Sequence, residues 1–181
     1  MGQYYFPVDL DKLEYLHPHK FGDGLKLREF GESGCGTMFA LAALLSNGNG
    51  RGGGDIFSPT YFKAEEAYFA AEDRKEVKFP NATKLNSQLI GSWAGDRIVI
   101  GGDYADPYKF IPTKYKKELY NRCLADQQTR SDIDKISQKT LKQYAKNQCN
   151  IFHFAEYFCK DISDDIIQVL KDCNCWERET V

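Results

Sequence analysis

Cys35 lies in the stretch GESGCGTMFALAALL, residues 31–45, between Gly34 and Gly36 and just ahead of an apolar run that opens at Thr37. A thiol at the start of a helix is biased toward thiolate by the partial positive charge of the helix N-terminus, and a thiolate is a nucleophile. Such chemistry also needs a base, and the chain offers only His17, His19 and His153. Cys35 as nucleophile with His153 as base describes a small cysteine-dependent hydrolase or transferase, with N–H groups at Gly34 to Gly36 as an oxyanion hole. The same loop has a second reading. Gly31 to Gly36 carries the glycine spacing of a phosphate-binding loop, but Thr37 stands where that motif places its lysine, which argues against nucleotide hydrolysis. What remains is an anion or nucleotide sensor at the Gly31–Thr37 loop, closed by Arg51 from the glycine-rich segment that follows. The third reading is a tight turn into a core helix.

The order Cys35, His153, then Asn150 or Asp161 resembles the papain-like hydrolases, in which the cysteine opens a helix and the histidine lies on a later strand. Here the loop before Cys35 holds no glutamine and no tryptophan stands directly after it. IVIGGDYADPY resembles the G-D-x-x-D segment of calcineurin-like metallophosphatases, yet their D-x-H and G-N-H motifs are missing. That leaves Asp103 and Asp106 as turn residues that stop a strand, with Asp103 a candidate contact residue. Cys149, His153, Cys159, Cys173 and Cys175 are soft ligands without paired C-x₂-C spacing, so no metal and no cofactor are expected. In HPHK, Pro18 is expected to hold the imidazoles of His17 and His19 apart. Trp93, in GSWAGDR, reads either as a core plug or as an exposed anchor for a partner.

The elements that must position these residues follow from periodicity. QYYFPVDLDKLEYLHP reads as a hairpin around Asp9–Lys12, and GLKLREFG as a third strand of period two, completing an antiparallel meander. Residues 37–46 form a buried helix, and the glycine-rich loop 47–55 follows. Ser58-Pro59 opens an amphipathic helix with Tyr61, Phe62, Tyr68 and Phe69 on its face. Ile98–Ile100, bounded by glycines, should be the central strand. TKYKKELYNRCLADQQ places Tyr115, Leu119 and Cys123 on one helical face, and Ser137 caps a helix with Leu141, Tyr144 and Ala145 inward. NIFHFAEYFCK reads as a strand with Phe152, Phe154 and Phe158 on one face, and Ser163-Asp164-Asp165 caps a last helix. The fold class is α+β: a mixed or antiparallel sheet with an N-terminal meander, one buried helix and several surface helices.

At 181 residues the expectation is one domain, 1–181. A formal net charge of −2 gives no field that favours nucleic acid or a membrane surface, and no apolar run is long enough to span one. No secretory leader is evident, and the six cysteines are irregularly spaced, so reduced thiols and a cytoplasmic location are expected. MGQYY, HKFGDGLKL, GCGTM, GRGGGD and SWAGDRIVIGGDYAD together resemble a group of short microbial and phage proteins. That resemblance implies a common core of 1–55 and 91–106, with 56–90 and 107–150 more individual, and carries no activity with it. With every catalytic motif incomplete, the leading expectation is a non-catalytic binding or interaction protein, possibly one subunit of an assembly. It would meet a protein partner, or a small anionic ligand, through its glycine-rich loop and aromatic surface.

Overall fold

The computed structural model describes residues 2–32, 36–47, 66–71, 89–130, 136–172 and 176. Its fold is α+β, with a four-stranded mixed sheet in the order β3-β1-β2-β4. The expected hairpin is present: β1 (Tyr5–Asp9) runs antiparallel to β2 (Glu14–Tyr15), with Val8 opposite Tyr15. Asp9 makes the turn. Its buried carboxylate accepts the backbone N–H groups of Asp11 at 2.8 Å and Lys12 at 2.9 Å, and Leu13 takes a positive φ of 56°.

The third strand of this meander is not GLKLREFG. Leu27–Gly31 is a short helix, α1, started by Glu29, whose carboxylate accepts the Lys26 N–H at 3.1 Å. Its one fully buried residue is Phe30, so a single apolar anchor on one helical turn replaces the alternation read from Leu25 and Leu27. The strand beside β1 is instead β3 (Ile98–Gly102), antiparallel from Tyr5 opposite Gly102 to Asp9 opposite Ile98. Among the described residues it lies at an edge of the sheet. The central position belongs to β1, whose Phe6 and Val8 are fully buried. At the other edge β4 (Lys160–Asp161) runs parallel to β2.

Two apolar clusters lie against the sheet. The first joins Phe6 and Val8 to α3 (Thr113–Gln128), α4 (Gln138–Asn147) and α5 (Ile151–Phe158). Leu119 and Cys123 point inward as expected, with Tyr115 packed against them, and Ser137 caps α4 by accepting the Thr140 N–H at 3.1 Å. Tyr144 does not join them: it is exposed, while Leu141 and Ala145 are buried. NIFHFAEYFCK is a helix, not a strand. Ile151, Phe152, Phe154 and Ala155 are its buried face, a set that helical spacing satisfies as well as alternation does, and the Asn150 cap decides between them. Phe152 stacks on Phe6 with ring centres 4.1 Å apart, and a Cβ at Gly101 would overlap the Ile151 methyl group, so α5 lies directly against the sheet.

The second cluster holds the expected buried helix α2 (Thr37–Leu45), Leu16, Phe21, Trp93 and α6 (Ser163–Asp172). Ser163 does not cap α6. Its N–H goes to Asp161 Oδ1 at 2.9 Å, and its hydroxyl oxygen accepts the His17 N–H at 2.8 Å, tying the helix start to the chain after β2. Of the helix expected after Ser58-Pro59, residues 66–70 are helical, with Phe69 exposed; the remainder lies outside the described residues, as does most of the glycine-rich loop. Among the described residues no helix is long and apolar enough to cross a membrane.

Candidate functional site

Where β3 ends, the chain turns at Asp103. Its N–H donates to the Tyr4 carbonyl at 3.0 Å and its Oδ1 accepts the Tyr4 N–H at 3.0 Å, which closes the end of the β1–β3 ladder. The Asp103 carbonyl accepts the side-chain amide of Asn150 at 2.6 Å. Asn150 is fully buried, and its Oδ1 accepts the His153 N–H at 3.2 Å, so one side chain joins the end of β3 to the start of α5. Asp103 and His153, far apart in sequence, are thereby brought to one place.

They line a cleft of about 910 Å³. Tyr4 and Tyr104 stand on the sheet side, and Gln127, Arg130, Tyr144 and Gln148 come from the ends of α3 and α4. Gln127 donates to Gln148 Oε1 at 2.7 Å and accepts from Arg130 at 3.1 Å, and the Arg130 guanidinium lies 6.0 Å from the Tyr144 ring centre. His153 Nδ1 is 2.9 Å from Glu156 Oε2, which fixes the orientation of the ring. Arg130, Tyr144 and Glu156 have no distinguishing sequence pattern. Arg130 and Tyr144 fall at the ends or on the outer faces of helices, and only the packing of α3 on α4 sets them beside Asp103.

The other candidates are placed as follows. Cys35, Gly34 and Arg51 lie outside the described residues. Gly36 is the N-cap of α2, and Thr37 directs both its N–H and its hydroxyl to Asp23 Oδ2, each at 2.8 Å. An external anion at this helix start would have to share Thr37 with a carboxylate of the chain itself. Trp93 is a core plug, not an exposed anchor: it is fully buried and donates from Nε1 to Glu14 Oε2 at 2.8 Å. Pro18 does not hold His17 and His19 apart. It opens a 3₁₀ turn, Pro18–Phe21, and the two imidazole centres are 5.3 Å apart. His17 also lies against Phe6, with Nδ1 buried and unpaired, and burial pulls its pKa below the ordinary value.

Near His153 the structure holds a different thiol, Cys149. Fully buried, it donates to the Ala145 carbonyl at 3.2 Å, and the neighbouring Cys123 thiol and then the Tyr108 hydroxyl hold its pKa below the usual thiol value. Cys123, which donates to the Gln148 carbonyl at 3.5 Å, is pushed up. Among the described residues no group of three or more His, Cys, Asp or Glu side chains is arranged to hold a metal ion, and Cys173 and Cys175 lie outside them. The cleft is lined by amide, guanidinium and carboxylate groups and by tyrosine rings. Comparison with known protein families, with curated proteins and with solved structures finds no match.

Proposed function

We propose that the chain is a non-catalytic binding protein that engages a protein partner through the cleft at the end of β3. One observation carries this reading: Asp103 and His153 converge there with Arg130 and with the exposed rings of Tyr4, Tyr104 and Tyr144. Tyrosine supplies large contact area at low entropic cost and a hydroxyl for a hydrogen bond, and arginine beside it is the other residue enriched where binding energy concentrates. A photo-crosslinking residue at Tyr104 in the native host tests the reading, with Gln168 on α6 as the control position. Crosslinks to one protein from Tyr104 alone support it, whereas the same products from both positions, or none, overturn it.

A second reading has one observation in its favour. Glu156 orients His153 as a base would need, so a thiol hydrolase or transferase with Cys35 as nucleophile stays a proposal. It requires that Cys35→Ala abolish an activity while leaving the melting temperature unchanged.

A further inference from the structure

Among the described residues β3 is paired along one side only. Along its β1 side, Leu10 donates to the Arg97 carbonyl at 3.0 Å and Asp103 donates to the Tyr4 carbonyl at 3.0 Å. Antiparallel ladders alternate, so Val99 and Gly101 also face β1, while Ile98, Ile100 and Gly102 turn their N–H and C=O groups the other way. The register opposite Pro7 agrees, because Pro7 has no N–H to give and stands across from Ile100. On the open side, no described strand pairs with Ile98 or Ile100, and Ile100 is 39% exposed. The Gly102 carbonyl accepts the Ala105 N–H at 3.1 Å and keeps a second lone pair.

Natural edge strands are blunted by short length, lysine, proline, inward charge, a bulge or a covering loop. The five residues IVIGG carry no lysine, proline or charge, and the segment that follows them, with Lys109, stands across a groove from them. The groove, of about 270 Å³, has Gly101, Ala105, Phe110 and Ile151 among its walls. We infer that this edge is occupied by β3 of a second copy of the chain, antiparallel and centred on Ile100, so that two four-stranded sheets become one across a two-fold axis.

The register is self-complementary. Ile100 meets Ile100 and exchanges both backbone hydrogen bonds with it, and Ile98 pairs with Gly102 of the second copy at either side. Val99 of the second copy stands across from Gly101, over the groove beside Ile151 and Phe110. At the ends, Arg97 falls opposite Asp103, once on each side of the axis. The Arg97 side chain is 74% exposed and pairs with Asp11 of the β1–β2 turn, a pairing it would exchange for Asp103 of the second copy. Opposite charges facing each other across strands favour this register over slipped ones. Each cleft then gains a residue from the other copy, since Asp103 lines it. The inference does not depend on what the cleft binds.

Light scattering and analytical ultracentrifugation of the full chain test it. The expected mass is twice 20.7 kDa, falling to 20.7 kDa for Ile100→Lys with the far-UV circular dichroism spectrum unchanged and the concentration dependence of the melting temperature lost. Arg97→Asp and Asp103→Arg each place like charges across the axis and are expected to be monomeric alone. Mixed together they restore both opposite pairs and form a heterodimer, which also shows that each is folded. A wild-type chain that stays monomeric into the high micromolar range overturns the inference. So does a dimer that survives Ile100→Lys, which would have to use another surface.

Discussion

Asn150 holds Asp103 and the N-terminus of α5 with the two ends of one amide: Nδ2 donates to the Asp103 carbonyl at 2.6 Å while Oδ1 receives the His153 N–H at 3.2 Å. The geometry of the cleft depends on this buried group more than on any residue that lines it. Asn150→Ala removes a helix cap and leaves the part-buried Asp103 carbonyl without this donor, so a loss of about 1–3 kcal/mol is expected in urea unfolding. Asn150→Asp keeps the cap acceptor and should recover part of the loss. A change under about 0.5 kcal/mol in Asn150→Ala would show that the clip is dispensable.

Trp93 behaves as core. Trp93→Ala should cost about 3–5 kcal/mol, as expected for an indole removed from a filled site. Trp93→Phe keeps much of the packing but leaves Glu14 Oε2 without the indole N–H, and a cost of about 1–3 kcal/mol is expected. Thermal or urea unfolding measures both; a stability within error of wild type in either variant would contradict the burial described above.

His17 gives the pH dependence a definite sign. Burial lowers its pKa in the folded chain, outweighing the opposing pull of Asp161 and Glu156. The unfolded chain therefore binds the proton first. Stability contributed by this group is fully present above the unfolded value near 6.5 and is lost as pH falls through the interval below it. In His17→Gln the slope of unfolding free energy against pH should flatten between about pH 5 and 7. An unchanged slope would mean that His17 takes up its proton without penalty in the fold.

Asp23 is expected to act as the cap of α2 that the glycines around it do not provide. Asp23→Ala removes the acceptor for both the N–H and the hydroxyl of Thr37, and a loss of about 1–2 kcal/mol should appear in thermal or urea unfolding. If inorganic phosphate raises the melting temperature of the wild-type chain and Arg51→Ala abolishes the rise, the anion reading of this helix start gains ground over the capping one.

Cysteine alkylation separates the two functional readings. Cys123 and Cys149 are fully buried, and burial pushes the Cys159 thiol up to about 12, so all three should label slowly in the native chain at neutral pH. Mass spectrometry of tryptic peptides reads each site. Fast labelling at Cys35 alone would move the thiol-enzyme reading to first place; fast labelling at Cys149 would contradict its burial.

The parts of the fold legible in the sequence are those with a local cause. The Asp9–Lys12 turn, the apolar run of α2 and the Ser137 cap each follow from a few neighbouring residues. Errors came where two periods fit the same short apolar set, as in Ile151–Phe158 and Leu27–Gly31, and the deciding residue was a cap, Asn150 or Glu29. β3 was legible as a strand but not as an edge, since its position depends on which side of β1 it joins. The cleft was half legible. Asp103 and His153 attract attention by type, while Arg130 and Tyr144 acquire a role only when α3 and α4 pack together.

The order β3-β1-β2-β4 also governs how the chain can be made. The β1–β2 hairpin emerges before its partners: one of its flanks waits for residues 98–102 and the other for residues 160–161. Until then Phe6 and Val8 have neither their neighbouring strand nor α5 to cover them. Closure must bring residues 5–9 to 98–102 and residues 14–15 to 160–161, and contacts of such long sequence separation slow assembly. Unpaired strand edges and uncovered apolar side chains promote aggregation, so truncations that remove β4 and α6 should leave the hairpin as its seed.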